Sequence, residues 1–392
     1  MVEDQHIKQW LAEGLITQQQ AQKMFADVIA HRKERSSDKL IVAVSTIGAI
    51  LLGVGAVLFV ASNWQVLTNL AKVFIMAGST FGVAYMGYVF AYERQNLPKV
   101  GAALLFLGTL LFGATIFLIA QIYHIQANSH LLVLIWLAGI LPLVYVLQSV
   151  PIAGLSALLL FIWIGLFVFR NITLSSSDWI ALPVLYLLSG LLFFETGGVH
   201  YLSEKLRTVA RTYRIASLKV TMVSLFLLTF RFFSGHYEHW SSRQQAAFSP
   251  QMSTGIVVLA VVAILLASSN LFFNPSKSET WQLEGGVSLG LIGLSLVFFF
   301  FPSTTNIYVV IFNLVLAGCI GVLIAIGYQR EDIRLVNIGM SYLALLVVVR
   351  YCDFFWGLLS RSVFFMVGGA ILVLGGIAME QKRRQLKAQF TQ

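Results

Sequence analysis

Residues 131–147, LLVLIWLAGILPLVYVL, decide the fold class of this chain, because they form a long apolar run without a single charge. Residues 255–267, GIVVLAVVAILLA, repeat the same pattern later in the chain. In hydrocarbon every backbone polar group must be hydrogen-bonded within the protein, so runs of this kind predict helices. The chain is therefore predicted to be an all-α, polytopic membrane helix bundle.

Similar runs extend in both directions from these two segments. Hydrophobic residues make up 58% of the 392 residues and charged residues only 11%, which leaves almost no material for a separate soluble domain. We predict about twelve transmembrane helices, at residues 40–61, 70–92, 100–120, 131–148, 152–169, 179–194, 217–233, 253–272, 285–301, 306–328, 335–352 and 362–379.

A basic connection at residues 195–219 divides the predicted spans into six and six. Two halves of six helices are typical of secondary transporters that are built from repeats. The two halves show no convincing similarity, however. The loop at 92–99, YERQNLPK, also lacks the Gly-x-x-x-Asp-Arg type of motif of the major facilitator superfamily. We divide the chain into an N-terminal segment (1–39), the bundle (40–380) and a basic tail (381–392).

The lysines and arginines predict the orientation of the bundle. Cytoplasmic loops of membrane proteins collect basic residues, so the +9 net charge needs no nucleic-acid partner. With the N-terminus in the cytoplasm, 20 basic residues fall on the cytoplasmic side and six on the opposite side. The six are Lys72, Arg170, Arg231, Arg243, Arg350 and Arg361. Both termini are predicted to be cytoplasmic.

The N-terminal segment has the pattern of two short amphipathic helices. Apolar residues with the spacing of one helical face precede Gly14, which is placed to end the first helix. Thr17 and Gln20 fit a capping box that begins the second helix. We predict that residues 4–33 form a short cytoplasmic helical hairpin that docks on the membrane, on the rest of this protein or on a protein partner. A DNA-reading helix-turn-helix normally has a third helix, and we expect no nucleic-acid partner.

Arg350 and Asp353 are the strongest candidate binding residues. They lie three positions apart and so share a helix face, with VVV before them and FFW after them. A charge among apolar residues is costly unless it is paired. The two residues form either a polar site open to the periplasm or a structural ion pair in which Arg350 reaches toward lipid headgroups.

Asn63, Trp64 and His124 are further candidates on the same predicted side of the membrane. Trp64 suits the aromatic belt of a membrane protein, and Asn63 can cap the first span or donate into a cavity. His236 and His239 lie in the largest predicted outer loop, but zinc needs three or four ligands. We expect no metal site and no cofactor, and the chain contains no P-loop, Gly-x-Ser-x-Gly, His-Glu-x-x-His or Rossmann motif.

Two parts of the chain resemble a family of bacterial membrane proteins, domain of unknown function 2157. The first part comprises WLAEGLIT at 10–17, GVG at 53–55 and VASNW at 60–64. The second comprises NIG at 337–339 and RYCD at 350–353, followed by one last span and a basic tail. The resemblance implies a multi-pass protein of the bacterial inner membrane and carries over no activity.

Two functions are compatible with these residues. The favoured one is a non-enzymatic protein that transports, senses or handles an envelope component, with membrane lipids as partners. The alternative is a membrane-embedded enzyme that acts on a lipid-linked substrate from the periplasmic side. Such an enzyme would use Arg350 and Asp353, with His124 or the loop at 236–239.

Overall fold

The computed structural model describes most of the chain as helix. The described residues are 17–21, 41, 43–55, 58–59, 62, 68–124, 130–171, 178–234, 248–273, 279–301, 306–355, 365–370, 373–377 and 380–381. No strand occurs among them. In this part of the chain the fold is all-α, as predicted.

Twelve longer helices follow one another along these residues. They are α1 (Ala43–Gly55), α2 (Asn69–Tyr88, continued by a π-helical turn, Val89–Glu93), α3 (Pro98–Ile122), α4 (His130–Leu147), α5 (Val150–Asn171), α6 (Asp178–His200), α7 (Arg207–Leu228), α8 (Pro250–Phe273), α9 (Glu279–Phe300), α10 (Ile307–Gln329), α11 (Ile333–Phe355) and α12 (Phe365–Ile377).

Nine of these helices, within the ranges given above, are long and apolar enough to cross a membrane. They are α2 to α6 and α8 to α11, and each coincides with a predicted span. Helices α1 and α12 are apolar but shorter. The remaining helix, α7, carries four basic residues, and it does not meet the same criteria of length and composition.

Helix α7 changes the interpretation of the basic connection at 195–219. Helix α6 continues to His200 and α7 already begins at Arg207, so only residues 201–206 lie between the two helices. The physical reason is burial: Val209, Ala210 and Tyr213 are buried in the bundle, and a buried segment forms a helix to satisfy its backbone. Lys219, which we counted with a cytoplasmic loop, lies inside this helix.

The chain divides into two compact units, residues 1–166 and 167–392. In the first unit α2 and α3 pack through small residues. A Cβ on Gly101 would lie 2.5 Å from the Ala91 nitrogen, and one on Gly87 would lie 2.8 Å from the Leu105 nitrogen. The two glycines therefore allow the backbones of the hairpin to touch, as small residues do in other membrane helix pairs.

In the second unit α6 packs against α7 and α8 through another set of glycines. A Cβ on Gly197 would lie 2.6 Å from Cγ of Arg214, and a Cβ on Gly190 would lie 2.5 Å from Oγ1 of Thr221. A Cβ on Gly198, which follows Gly197, would lie 2.4 Å from Nδ2 of Asn270. These glycines leave room for polar side chains of the neighbouring helices to lie directly against α6.

The two Gly-x-x-x-Gly pairs that the sequence contains behave differently. Within the described part of the chain, a Cβ on Gly78, Gly82, Gly286 or Gly290 would meet no atom within 4 Å. These four glycines do not mediate the close helix contacts seen within either unit.

Thr17 and Gln20 form the capping box that their spacing predicts. The Thr17 N–H donates to Oε1 of Gln20 at 2.9 Å, and the Gln20 N–H donates to Oγ1 of Thr17 at 3.3 Å. Residues 18–21 are helical, and the rest of the predicted hairpin, including Gly14, lies outside the described residues.

Candidate functional site

Glu284 holds two arginines at one end of the second unit. Its Oε2 accepts a hydrogen bond from Nη2 of Arg214 on α7 at 2.6 Å, and its Oε1 accepts one from Nη1 of Arg330 at 2.7 Å. The side chains of Arg214 and Glu284 are only 9% and 12% exposed. The carboxylate thus joins α7, α9 and the end of α10 through charge-assisted hydrogen bonds.

Aromatic rings cover the two guanidinium groups. Arg214 lies 4.1 Å from the ring centre of Phe194 and 4.4 Å from that of Trp281, while Arg330 lies 5.3 Å from the Trp281 ring. These distances are typical of cation–π contacts, which strengthen when the cation is removed from water. The rings therefore lie against both guanidinium groups and cover Arg214, whose side chain is 9% exposed, more fully than Arg330, whose side chain is 25% exposed.

A cavity of about 390 Å³ opens beside this cluster. We call it the arginine basin and define it by its charged lining residues, Arg207, Arg211, Arg214, Arg330, Glu284 and Asp332. Four arginines and two acids leave an excess of two positive charges among these residues. Arg211 is paired with Asp332 at 2.5 Å, and Arg207 is paired with the exposed Glu204 at 2.8 Å.

Arg214 keeps one donor without an acceptor. Its Nε is buried and has no hydrogen-bond partner among the described residues, although Nη2 is bound to Glu284. An unsatisfied donor on a buried guanidinium costs free energy, so an acceptor from a bound molecule or water would stabilise it. The basin is lined by Arg207, Arg211 and Arg330 as well as Arg214, and this set of guanidinium groups suits an anion with several acceptor oxygens.

A smaller cavity of about 80 Å³ extends from the basin into the bundle. The two cavities share Phe194, Leu218, Glu284 and Leu335 as lining residues. The smaller one is also lined by Thr221, whose buried Oγ1 has no partner among the described residues. The lining is mostly apolar, and Thr221, Glu284 and Ser288 are its polar residues.

Glu195 is a second buried acid, and it lies near the C-terminal end of α6, next to Phe194. Nδ2 of Asn270 on α8 lies 2.7 Å from both the carboxylate and the backbone oxygen of Glu195. Gly198 leaves the space that this amide occupies. Glu195 belongs to the predicted basic connection at 195–219, but in the structure it lies within α6 and is buried.

The ion pair predicted between Arg350 and Asp353 is present. Nη1 of Arg350 donates to Oδ2 of Asp353 at 2.6 Å. Nη2 donates to Oγ1 of Thr229 at 2.6 Å and to its backbone oxygen at 3.2 Å. The arginine also lies 5.2 Å from the ring centre of Phe230. These contacts join α11 to the end of α7, while a binding role for the pair stays a prediction.

Besides Arg350 and Asp353, the structure describes His124 but not the other predicted site residues. His124 lies just after α3 in the first unit, exposed, in a left-handed turn with φ of 56°. Asn63, Trp64 and the residues 236–239 lie outside the described residues. Among the residues that the structure describes, no three His, Cys, Asp or Glu side chains converge as metal ligands.

The arginine basin was not predicted, because Arg214 and Arg330 fall in segments that the hydropathy pattern assigns to loops. A signal was present in the sequence WQLEGG at 281–286, where Glu284 stands at the start of an apolar span. An acid in that position needs a cationic partner, and the basic segment 205–214 offers several.

The helices and their apolar surfaces define a multi-pass membrane protein, and the comparison with family models agrees. Residues 8–153 match the model of the family described as Predicted membrane protein (DUF2157). The resemblance noted in the N-terminal part of the sequence is therefore confirmed. The match ends before the arginine basin and before Arg350. No curated protein and no solved structure matches the chain.

Proposed function

We propose that this is a non-enzymatic protein of the bacterial inner membrane that transports, senses or handles a phosphate-bearing envelope lipid bound in the arginine basin. The observation that carries the proposal is the basin itself. It combines an excess of positive charge among its lining residues with the aromatic rings of Phe194 and Tyr201. Planar guanidinium groups bind phosphate oxygens in bidentate fashion, and the rings offer apolar contact for the lipid next to its headgroup.

The proposed topology has about twelve spans and two cytoplasmic termini, with α1, α7 and α12 crossing the membrane in addition to the nine longer apolar helices. The basin then faces the cytoplasm, because its arginines belong to the basic side of the chain. Two contacts support this topology, because they show that α7 and α11, four spans apart, run in the same direction. The pair Arg211–Asp332 lies at one end of α7 and α11, and the contact Thr229–Arg350 lies at the other end of the same helices.

The alternative enzymatic role on the periplasmic side receives less support. Nη1 and Nη2 of Arg350 already donate to Asp353 and Thr229. Its buried Nε has no partner among the described residues, as at Arg214, but Arg350 lines neither the arginine basin nor the smaller cavity. These contacts favour a structural role in holding α11 against α7. The capping box at Thr17 supports a helical start for the second part of the N-terminal hairpin, which we propose as a regulatory or docking element.

Binding of dioctanoyl phosphatidylglycerol to the full-length protein in phosphatidylcholine nanodiscs tests the proposal. The lipid should raise the midpoint of thermal unfolding, because a ligand that binds only the native state stabilises it. Arg330→Gln and Arg211→Gln should each reduce this shift. Arg94→Gln removes one exposed charge from the first unit on the same predicted side and should leave the shift unchanged.

Two comparison ligands, inorganic phosphate and dioctanoyl phosphatidylcholine, test which part of the lipid is recognised. Inorganic phosphate at the same concentration should produce a much smaller shift if the lipid rather than the free anion is bound. Equal shifts with the Arg330→Gln variant and the unaltered protein, or with phosphatidylglycerol and added dioctanoyl phosphatidylcholine, would contradict a role for the basin.

A further inference from the structure

Lys219 is a charged residue halfway along α7. It lies eight residues after Arg211, which pairs with Asp332, and ten residues before Thr229, which contacts Arg350. At the rise of an α-helix these separations are about 12 and 15 Å. The polar contacts at Arg211 and Thr229 mark the two ends of the helix, so Lys219 is placed near the middle of the span.

A contact to α11 supports the same depth independently. The hydroxyl of Tyr342 donates to the backbone oxygen of Lys219 at 3.1 Å. Tyr342 lies ten residues after Asp332 and eight before Arg350, which is the midpoint between the two polar ends of α11. In the proposed topology, in which α7 and α11 both cross the membrane, Lys219 therefore lies near mid-membrane, where an ionisable residue is costly and normally serves a function.

The side chain of Lys219 lies at one end of an apolar groove between α6 and α7. The groove has a volume of about 610 Å³, within the range of small-molecule sites. It follows α7 from Lys219 to Leu227, about 12 Å at the helical rise, and reaches Trp179 and Phe232 at its far end. Lys219 is the charged residue among its lining residues, and the others are apolar except for Ser224 and Tyr186.

No anion balances this lysine in the part of the chain that the structure describes. Its side chain is exposed, and its recorded hydrogen bond is made by the backbone oxygen rather than the ammonium group. Two neighbouring polar residues of α7 differ from it, because Arg214 is bound to Glu284 and Ser217 donates to the backbone oxygen of Arg214. An ammonium group in an apolar groove therefore requires an anion from a ligand.

We propose that the groove between α6 and α7 binds a medium-chain fatty carboxylate, with the carboxylate on Lys219 and the hydrocarbon chain directed toward Trp179. One ammonium group neutralises one carboxylate and leaves no residual charge in the groove. A phosphate monoester would carry nearly two negative charges, which one lysine does not balance. The extended chain of decanoate is comparable in length with the groove, and its surface matches the apolar lining.

The first experiment measures binding of decanoate to the full-length protein by isothermal titration calorimetry in detergent micelles. Binding should be saturable above the background of empty micelles. Lys219→Met should weaken it at least tenfold, whereas Lys219→Arg should retain it. Lys205→Met removes an exposed lysine from the turn that precedes α7 and should leave binding unchanged. Decanol, which has the chain but no charge, should not compete.

The second experiment locates the hydrocarbon chain of the bound decanoate. A decanoate analogue with a diazirine at its terminal carbon should label residues near Trp179 and Phe232, as read by mass spectrometry of the digested protein. Val223→Trp narrows the groove without altering its charge and should also weaken binding. This variant keeps the proposal testable if Lys219→Met fails to fold.

Three results would overturn the proposal. Equal affinity of the Lys219→Met variant and the unaltered protein would exclude the charge interaction. Equal competition by decanol would show that the ligand is held only by apolar contact. Uniform labelling of all lipid-facing helices would indicate partition of the probe into the micelle rather than binding in the groove. None of these readouts depends on the arginine basin, so failure here leaves the phosphatidylglycerol experiment intact.

Discussion

The carboxylate of Glu284 lies 2.6 Å from Nη2 of Arg214, and both side chains are almost fully buried. The second oxygen of the same carboxylate binds Arg330, so one acid pairs with two cations that belong to different helices. Burial makes such a cluster sensitive to the loss of a single member, because a remaining charge cannot reach water.

We therefore predict that Glu284→Gln lowers the free energy of unfolding by about 3–5 kcal/mol, since it leaves two arginines without an anionic partner. Unfolding in mixed micelles, followed by circular dichroism, measures the effect. In a double-mutant cycle, Glu284→Gln and Arg214→Gln should couple by about 2–3 kcal/mol, the upper part of the range for residues in direct contact.

The matched control for this cycle is the pair Arg207–Glu204, which lies in the same region but is 63% and 83% exposed. Its coupling should be at most about 1 kcal/mol, because water screens exposed charges. A coupling energy for Arg214 and Glu284 no larger than that of this pair would contradict the interpretation of a buried cluster.

The glycines of α6 lead to a second prediction. Gly197→Ala should destabilise the protein by about 1–3 kcal/mol, because the added Cβ would lie 2.6 Å from Cγ of Arg214 and 3.2 Å from the backbone oxygen of Ala210. Gly286→Ala on α9 adds the same methyl group where no described atom lies within 4 Å, and should change stability by less than about 0.5 kcal/mol. The same unfolding assay compares the two variants, and equal effects would refute the close approach of α6 and α7.

Apolar runs predicted the helices of the bundle well, because a span of hydrocarbon imposes both length and composition. Nine predicted spans coincide with helices that meet these criteria in the described residues. The capping box at Thr17 was also readable, since its hydrogen bonds join residues three positions apart.

Contacts between distant residues were harder to predict. The pair Arg350–Asp353 was visible because its members lie on one helix turn, whereas the contact of Arg350 with Thr229 joins residues 121 positions apart. Helix α7 was misinterpreted for a related reason. Hydropathy counts every charge in a helix equally, and it cannot show that Arg214 is neutralised by Glu284 and covered by Trp281.

The topology gives a third prediction. A reporter fused after residue 203, in the short connection between α6 and α7, should report the cytoplasm, and so should one fused after residue 392. The reason is the concentration of basic residues on this side of the chain. Alkaline phosphatase fusions are active when the fusion site is periplasmic, and green fluorescent protein fusions fluoresce when it is cytoplasmic. A periplasmic signal from either position would be incompatible with an even number of spans and cytoplasmic termini.

The last prediction concerns Arg350, whose contacts join α11 to the end of α7. Arg350→Gln should destabilise the protein by about 1.5–3 kcal/mol, because it removes charge-assisted hydrogen bonds to Thr229 as well as the pair with Asp353. Asp353→Asn should cost less, about 0–1 kcal/mol, since this carboxylate is 55% exposed and makes a single ion pair with Arg350.

The double variant should be less destabilised than the sum of the two single variants, because it leaves no charge unpaired. Thr229→Val is a separate test of the contact with α7, since it removes the hydroxyl acceptor while the pair of Arg350 with Asp353 remains. If Thr229→Val is neutral and the Arg350 and Asp353 effects are strictly additive, the arginine does not hold α11 against α7. Arg350 would then be free to bind a periplasmic ligand, and the alternative enzymatic function would regain its main argument.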